Sequence, residues 1–422
     1  MQAKAPTYNL KAVIHETGLT PATLRVWERR YGLLKPQRSP GGHRLYTQRE
    51  IDMLKWLVAR QAEGLSIRQA VEMWKNAAPQ HSAPVPVELS AAGNMLDQLR
   101  SSWINACLAF DESAAELILS QALAIASPET VCTGLLQKGL AELGERWYRG
   151  TVSVQQEHFA SALVTRRLHA LLAAAPAPTR SQRLLAACPP GEAHDLSLLM
   201  LTFILRWHGW EVVYLGADMP LARLDATLQS TAPDLVLSVA QTLPGAAALS
   251  ELAGLVNAQG IPLAYGGGIF QHIPRLSERI SGHYLGDELS AVPQVLESLG
   301  GRPQPTTQPL SNDYAQTLAD FTSHQALILN TVNQTLPPGE ISSRQLEDAN
   351  LHFTRAVIAA LTLGDINFLD YSTNWLKGMM KMYNLPAHLT GLYYRAYHTA
   401  VQQHLGKRAA VLPAWFEKME AA

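Results

Sequence analysis

The chain has 422 residues, of which 47% are apolar and 16% charged, with 34 Lys and Arg against 35 Asp and Glu. That is enough apolar content for about two to four domains, and a formal charge of −1 excludes a basic field over the whole molecule, so nucleic-acid binding would need a local patch. Cys107, Cys132 and Cys188 are scattered without a CxxC pair, which argues against a disulfide framework and a structural zinc site and for a reducing, cytoplasmic setting.

No apolar run suits a signal peptide or a membrane span before charges, Pro or Gly interrupt it. Three stretches rich in Pro, Ala and small polar residues, NAAPQHSAPVP from Asn76, AAAPAPTRS from Ala173 and GGRPQPTTQP from Gly300, read as linkers. They divide the chain into segments 1–76, 88–174, 182–300 and 311–422.

In the first segment, LKAVIHETGLTPATLRVWERRYGLL reads as two short helices. Gly18 makes the turn, and Thr20 with Pro21 supplies the second helix with a cap and a first-turn proline. This is helix-turn-helix spacing. The second helix offers Thr23, Arg25, Arg29 and Arg30, and a Gly-turned hairpin offers Arg38, His43, Arg44 and Tyr46, side chains suited to phosphate and groove-edge contacts. Trp27, Tyr31 and Leu33 recur at helical spacing and read as core. The run TLRVWERRYGLLKPQRSPGGHRLYT resembles the MerR family of winged-helix regulators over Tyr8 to Trp74. That resemblance implies dimeric binding of double-stranded operator DNA, with the helix from Pro21 in the major groove.

The second segment is helical and contains LGERWYRGTVSVQQEHFASALVTRRL. Taken alone, Trp147 and Tyr148 read as ordinary aromatics and Glu157 with His158 as a solvated pair, and no second ligand gives them metal spacing.

The third segment alternates apolar runs with amphipathic stretches, RLLAACPP, LLMLTFILRWHGW, EVVYLGADMP, PDLVLSVAQT and IPLAYGGGIF among them. The pattern predicts a doubly wound parallel sheet with ligands beyond the carboxyl ends of its strands. CPPGEAHDLS lies at the first such end. His194 there can reach a ligand, and Glu192 can accept its other ring N–H. On the loop alone the commoner outcome is a histidine at a helix start, with Glu192 and Asp195 answering the helix dipole.

GEAHDLS, SVAQTL and YGGGIF together resemble the three-part signature of the B12-binding domain. RWYRGTVSVQQEH resembles the helical bundle that caps cobalamin in methionine synthases and in light-sensing MerR regulators. The expected fold is therefore multidomain: winged helix-turn-helix, four-helix bundle, α/β Rossmann-like B12-binding domain and an all-α C-terminal domain.

The resemblance makes His194 the lower axial ligand of cobalt and Glu192 its orienting partner. Ser238 and Gly266, Gly267 and Gly268 would line the slot for the displaced nucleotide tail. Trp147 would cover the upper face, with Glu157 and His158 on the same side. Three positions depart from the pattern: Ser197 stands where glycine is usual, Ala240 where leucine is usual, and Tyr148 where the light-sensing relatives place a cobalt-binding histidine. A phenol with a pKa near about 10 is a poor ligand.

The fourth segment is rich in Trp375, Met379, Met380, Tyr383, Tyr393, Tyr394 and Tyr397, a stripe that reads as core. Its default role is an oligomerisation or partner surface. The sharper expectation is a second tetrapyrrole pocket, such as one for a bilin, built from His324, His352, Arg355, Tyr371, His388 and His398.

The sequence thus predicts a cytoplasmic, non-enzymatic, homo-oligomeric regulator governed by adenosylcobalamin and by light. A regulator sensing haem, redox state or a protein partner is the alternative. A B12-dependent enzyme subunit is disfavoured by the DNA-binding segment and the absence of a substrate barrel from the sequence pattern.

Overall fold

The computed structural model describes residues 7–31, 34, 37–38, 44–47, 50–51, 53–55, 57–58, 67, 71, 89–273, 275–299, 305–307, 309–337, 340–373, 378, 385–386, 388–409 and 411–421. They divide into two compact units, Met1–Ser90 and Ala91–Ala422.

In the first unit, β1 (Thr7–Asn9) leads into α1 (Leu10–Thr17), and α2 (Pro21–Tyr31) follows after Gly18, whose φ of +69° favours glycine. Thr20 Oγ1 accepts from Thr23 N at 3.1 Å and caps α2. β2 (Gln37–Arg38) and β3 (Arg44–Thr47) complete an antiparallel sheet in the order β1-β3-β2. Val13, Leu24, Trp27, Leu34, Tyr46, Ile51 and Leu54 close the core beneath the two helices.

The second unit begins within α3 (Leu89–Leu108), which α4 (Glu112–Ile125) follows. The next helix starts as α5 (Pro128–Val131), passes through a π-helical stretch at Cys132–Gln137 and continues as α6 (Lys138–Tyr148). Ser153 and Gln156 form a reciprocal capping box at the start of α7 (Val154–Ala173). Glycine inside the π-bearing helix has a packing reason: a Cβ on Gly134 would lie 2.6 Å from Leu96 and one on Gly139 2.9 Å from the Trp103 ring.

β4 (Arg183–Ala187), α8 (Leu196–Trp207), β5 (Glu211–Gly216), α9 (Leu224–Thr231), β6 (Leu235–Val239), α10 (Leu243–Ala258), β7 (Leu263–Gly266), α11 (Ile269–His272), β8 (His283–Tyr284) and α12 (Val292–Leu299) follow. The sheet is parallel, in the order β5-β4-β6-β7-β8. The chain reverses its direction of winding between β4 and β6, and at such a switch point the loops after the two strands part to leave a crevice. β6 is buried at all five positions, as a strand covered on both faces must be. Helix α8 is buried from Leu198 through Leu205 because the sheet takes one side of it and α7 the other.

The C-terminal helices are α13 (Asn312–Thr335), α14 (Ser343–Thr362), α15 (His388–Leu405) and α16 (Pro413–Ala421). Helix α14 packs on α10, and α13 on α15, so one apolar core runs from Leu249 and Leu252 on α10 to Phe353, Val357 and Tyr397. The helical, sheet-containing and C-terminal segments therefore form one compact unit despite the linkers between them: α10 is apolar on both flanks and is covered on both.

Tyr393, Tyr394 and Tyr397 pack with Phe353, Trp415 and Phe416, with ring centroids 4.8 to 6.3 Å apart around Phe353. That bears out the core reading of those three tyrosines. Trp375, Met379, Met380 and Tyr383 lie outside the described residues. Among the described residues no helix is long and apolar enough to cross a membrane.

Candidate functional site

A cavity of about 830 Å³ opens beyond the carboxyl ends of the strands, between the sheet and the helical bundle. One wall comes from Gln137, Leu140, Ala141 and Gly144 on the π-bearing helix and from Glu157, His158, Ser161 and Thr165 on α7. The facing wall comes from the loops after β4, β6, β7 and β8. Its size suits a large organic ligand.

The β4 loop turns at Gly191, with φ +75°, and is held from two sides. Gly191 N donates to Asp218 Oδ1 at 2.7 Å, and Asp218 N donates to Glu192 O at 3.0 Å, tying the loop to the one after β5. The Glu192 side chain points inward and is fully buried. Its Oε2 accepts from Gln241 N at 2.8 Å, Thr242 N at 3.2 Å and Thr242 Oγ1 at 3.1 Å, where α10 begins.

A buried carboxylate is costly unless its lone pairs are filled. The helix start supplies both the donors and a favourable dipole. A Cβ on Gly245 would come within 2.2 Å of Oε2, so the first turn of α10 admits this carboxylate only with glycine there.

The other oxygen, Oε1, meets His194 Nδ1 at 2.7 Å and accepts from His194 N at 3.1 Å. The imidazole stays largely exposed on the cavity wall, with Nε2 as its remaining nitrogen. Its hydrogen bond to Glu192 raises the His194 pKa above the ordinary 6.5, against desolvation, with further help from the charges of Glu192, Glu157 and Asp195. Burial pushes Glu192 upward, but the hydrogen bonds from His194 and Gln241 outweigh it and leave the carboxyl below its ordinary 4.5. Asp195 Oδ2 accepts from Tyr214 OH at 2.6 Å, a second tether from β5. Burial, then that hydrogen bond, raises the Tyr214 pKa.

Gln241 joins the loops above the switch point. Its Nε2 donates to Ser197 Oγ at 2.6 Å, and its Oε1 accepts from Gly268 N at 2.8 Å. The serine at position 197 thus gains a specific partner. Gly267 has a φ of +123°, and a Cβ there would sit 2.0 Å from Ala240 O, so this turn requires glycine. Gly266, Gly267 and Gly268 all line the cavity.

The Ser238 hydroxyl instead donates to Ala187 O at 2.7 Å, fully buried between β6 and β4, and is absent from the described cavity lining. Trp147 packs partly buried against the bundle core and likewise is not among the cavity-lining residues. The side chain of Tyr148 lies outside the described residues. Glu157 and His158 do face the cavity: Glu157 takes 2.9 Å and 2.7 Å contacts from His158 Nδ1 and Ser161 Oγ. Gln241, Tyr214 and Gly245 escaped the sequence reading, although Gln241 follows a strand end and so stands where ligands gather.

In the first unit Arg25 and Arg30 are exposed and Thr23 is half-buried. Arg44 is half-buried and pairs with Glu28 at 3.3 Å. Tyr46 corrects the DNA-contact set: at 1% exposure it is a core residue, because β3 turns its ring towards Leu24 and Trp27. The side chains of Arg29 and Arg38, and all of Leu33 and His43, lie outside the described residues.

The site fits a cobalt corrinoid on chemical grounds. A carboxylate-oriented imidazole presents one nitrogen to a roomy cavity, the arrangement that metal-binding histidines use, and the triple-glycine turn gives a ligand close access to backbone.

Family models agree along the chain. One described as MerR HTH family regulatory protein matches residues 8–77, and two described as B12 binding domain match residues 99–172 and 182–296. The HTH-type transcriptional repressor CarH of Myxococcus xanthus is 32% identical over 292 residues, 67% of this chain and 96% of CarH. CarA of the same organism, also an HTH-type transcriptional repressor, is 35% identical over 234 residues, 54% of this chain and 75% of CarA. The solved monomethylamine corrinoid protein of Methanosarcina barkeri aligns at a TM-score of 0.41 and 16% identity, over 49% of this chain and 98% of that one. The chain belongs to the MerR-type DNA-binding transcriptional regulators that carry a B12-binding module.

Proposed function

We propose that this protein is a light-responsive repressor whose adenosylcobalamin controls its assembly and its hold on operator DNA. The observation that carries the reading is His194, oriented through Nδ1 by a buried, helix-anchored Glu192 and left with Nε2 on the cavity wall. His194 would hold cobalt through Nε2, Glu192 would fix the ring, and Gly266 to Gly268 would admit the nucleotide tail. Glu157 and His158 would border the cofactor from the helical wall of the cavity, with Trp147 packed against the core behind that wall. Bound adenosylcobalamin supplies a cobalt–carbon bond that light can break.

With Tyr148 at the position of the relatives' upper-face histidine, a bis-histidine end state is not part of this proposal. The chain's own contribution is linkage. The cavity is lined from both the bundle and the sheet, so a ligand seated there favours their closed packing, and losing part of that ligand shifts the population towards another assembly. Homo-oligomerisation, and a division into domains at 1–76, 88–174, 182–300 and 311–422, belong to the same reading. A bilin in the C-terminal segment does not: of its candidate residues, His398 is buried and stacked on Phe416, and Tyr371 is stacked on His272.

The test is size-exclusion chromatography and operator binding with adenosylcobalamin, in darkness and after green light, for wild type and His194→Ala. A light-dependent change in both readouts, lost in the variant together with the ligand's spectral shift, is expected. Identical wild-type profiles in dark and light would overturn the light response. An unchanged spectrum and affinity in His194→Ala would overturn the ligand assignment.

A further inference from the structure

The cavity wall beyond the triple-glycine turn is backed by the C-terminal segment. Gln271 and His272 of α11 line the cavity, and the His272 ring stacks on Tyr371, with centroids 5.7 Å apart and planes at 21°. Tyr371 belongs to the short stretch after α14. Its neighbour Asp370 accepts from Trp415 Nε1 at 2.9 Å and from Lys418 Nζ at 2.7 Å, both on α16.

The same stretch touches the B12-binding segment once more, where Asp365 faces Arg279 at 3.9 Å, and Arg279 O accepts from Ser250 Oγ of α10 at 3.4 Å; within the C-terminal segment Ile366 N donates to Tyr314 OH of α13 at 3.0 Å. Helix α11 is therefore held between the cavity on one side and a tyrosine braced by the last helix on the other. All three family matches and their cobalamin-related sequence end by residue 296, so Tyr371 comes from outside them.

Resting on the cobalamin reading above, we infer that His272 binds the nucleotide tail of the cofactor and that Tyr371 positions it, making the C-terminal segment part of the corrinoid site. The tail carries a phosphodiester anion, and an imidazole offers it an N–H donor in either protonation state. Of the neighbouring groups, Asp287 accepts from Tyr284 OH at 2.5 Å and would repel an anion, whereas the Gln271 amide is a second, uncharged donor beside His272 in the wall. Stacking fixes the plane of the ring, which a histidine at the exposed end of a four-residue helix would otherwise not hold.

The experiment titrates full-length protein with adenosylcobalamin and with adenosylcobinamide, which lacks the phosphate, ribose and base, and reads the ratio of the two dissociation constants. Wild type should prefer adenosylcobalamin. His272→Ala should lower that preference about tenfold, the effect of one hydrogen bond to a charged group, with adenosylcobinamide affinity unchanged. Tyr371→Ala should lower it in the same sense, and Tyr371→Phe, which keeps the stack, should restore it.

His272 is solvent-exposed, so its removal tests the idea even if Tyr371→Ala fails to fold. An unchanged ratio in His272→Ala, with wild type binding both corrinoids, overturns the inference and leaves the cobalamin reading intact. Wild type binding neither corrinoid overturns both.

Discussion

Glu192 and His194 share a 2.7 Å hydrogen bond across a solvent boundary: the carboxylate side chain is 0% exposed and the imidazole 67%. The buried partner is immobilised by backbone donors, and the exposed partner inherits that orientation. A solvated loop histidine thereby takes a fixed orientation without being buried.

This coupling has a pH signature in the ligand-free protein. The His194 pKa is raised above 6.5 in the fold, so its contribution to stability is fully present below about pH 6.5 and is lost as pH rises through the raised native value. Glu192→Gln should bring the His194 titration midpoint, followed by ring-proton NMR, back towards 6.5. Coincident midpoints in variant and wild type would show that Glu192 does not govern the ring.

Gly267→Ala tests the glycine turn. The φ of +123° and a Cβ position 2.0 Å from Ala240 O should cost at least about 1–3 kcal/mol in urea unfolding. Gly286→Ala, at φ +81° with open space around its Cβ, should cost about 1–2 kcal/mol from backbone conformation alone. Equal losses would mean that the Ala240 clash is relieved by movement of the loop.

Gln241→Ala should remove the bonds to Gly268 N and Ser197 Oγ, each worth about 0.5–1.5 kcal/mol, and speed hydrogen exchange at the Gly268 amide. Ser197→Gly should lose only the second bond and leave Gly268 protected. Unchanged Gly268 exchange in Gln241→Ala would remove Gln241 as the clamp between these loops.

In the DNA-binding unit, Arg25 is exposed and Tyr46 is buried, so the two should fail in different ways. Arg25→Ala should weaken operator binding and reduce the salt slope by about 1, as loss of a phosphate contact does. Tyr46→Ala should lower unfolding free energy by about 3–5 kcal/mol, as loss of a core aromatic does. A stable Tyr46→Ala protein with selective loss of operator affinity would return Tyr46 to the contact surface.

The sequence by itself determined the alternation of strands and helices from Arg183 onward and the helix-turn-helix around Gly18, because each depends on periodicity or close spacing; the Glu192–His194 pair was one of two readings of its loop, favoured by the resemblance rather than by the spacing. The sequence also carried the core role of Tyr393, Tyr394 and Tyr397, through spacing along one helix face. Only tertiary structure decided that Ser238 bonds to Ala187 rather than lining the cavity, that Tyr46 points inward, and that Gln241 bridges Ser197 and Gly268. These outcomes depend on which strand lies beside which and on how a pleat turns a side chain, contacts between residues tens of positions apart that leave no periodic trace. The same reason hid the contact between Tyr371 and His272: they are 99 positions apart along the chain and 5.7 Å between rings, and their segments meet where α14 packs on α10.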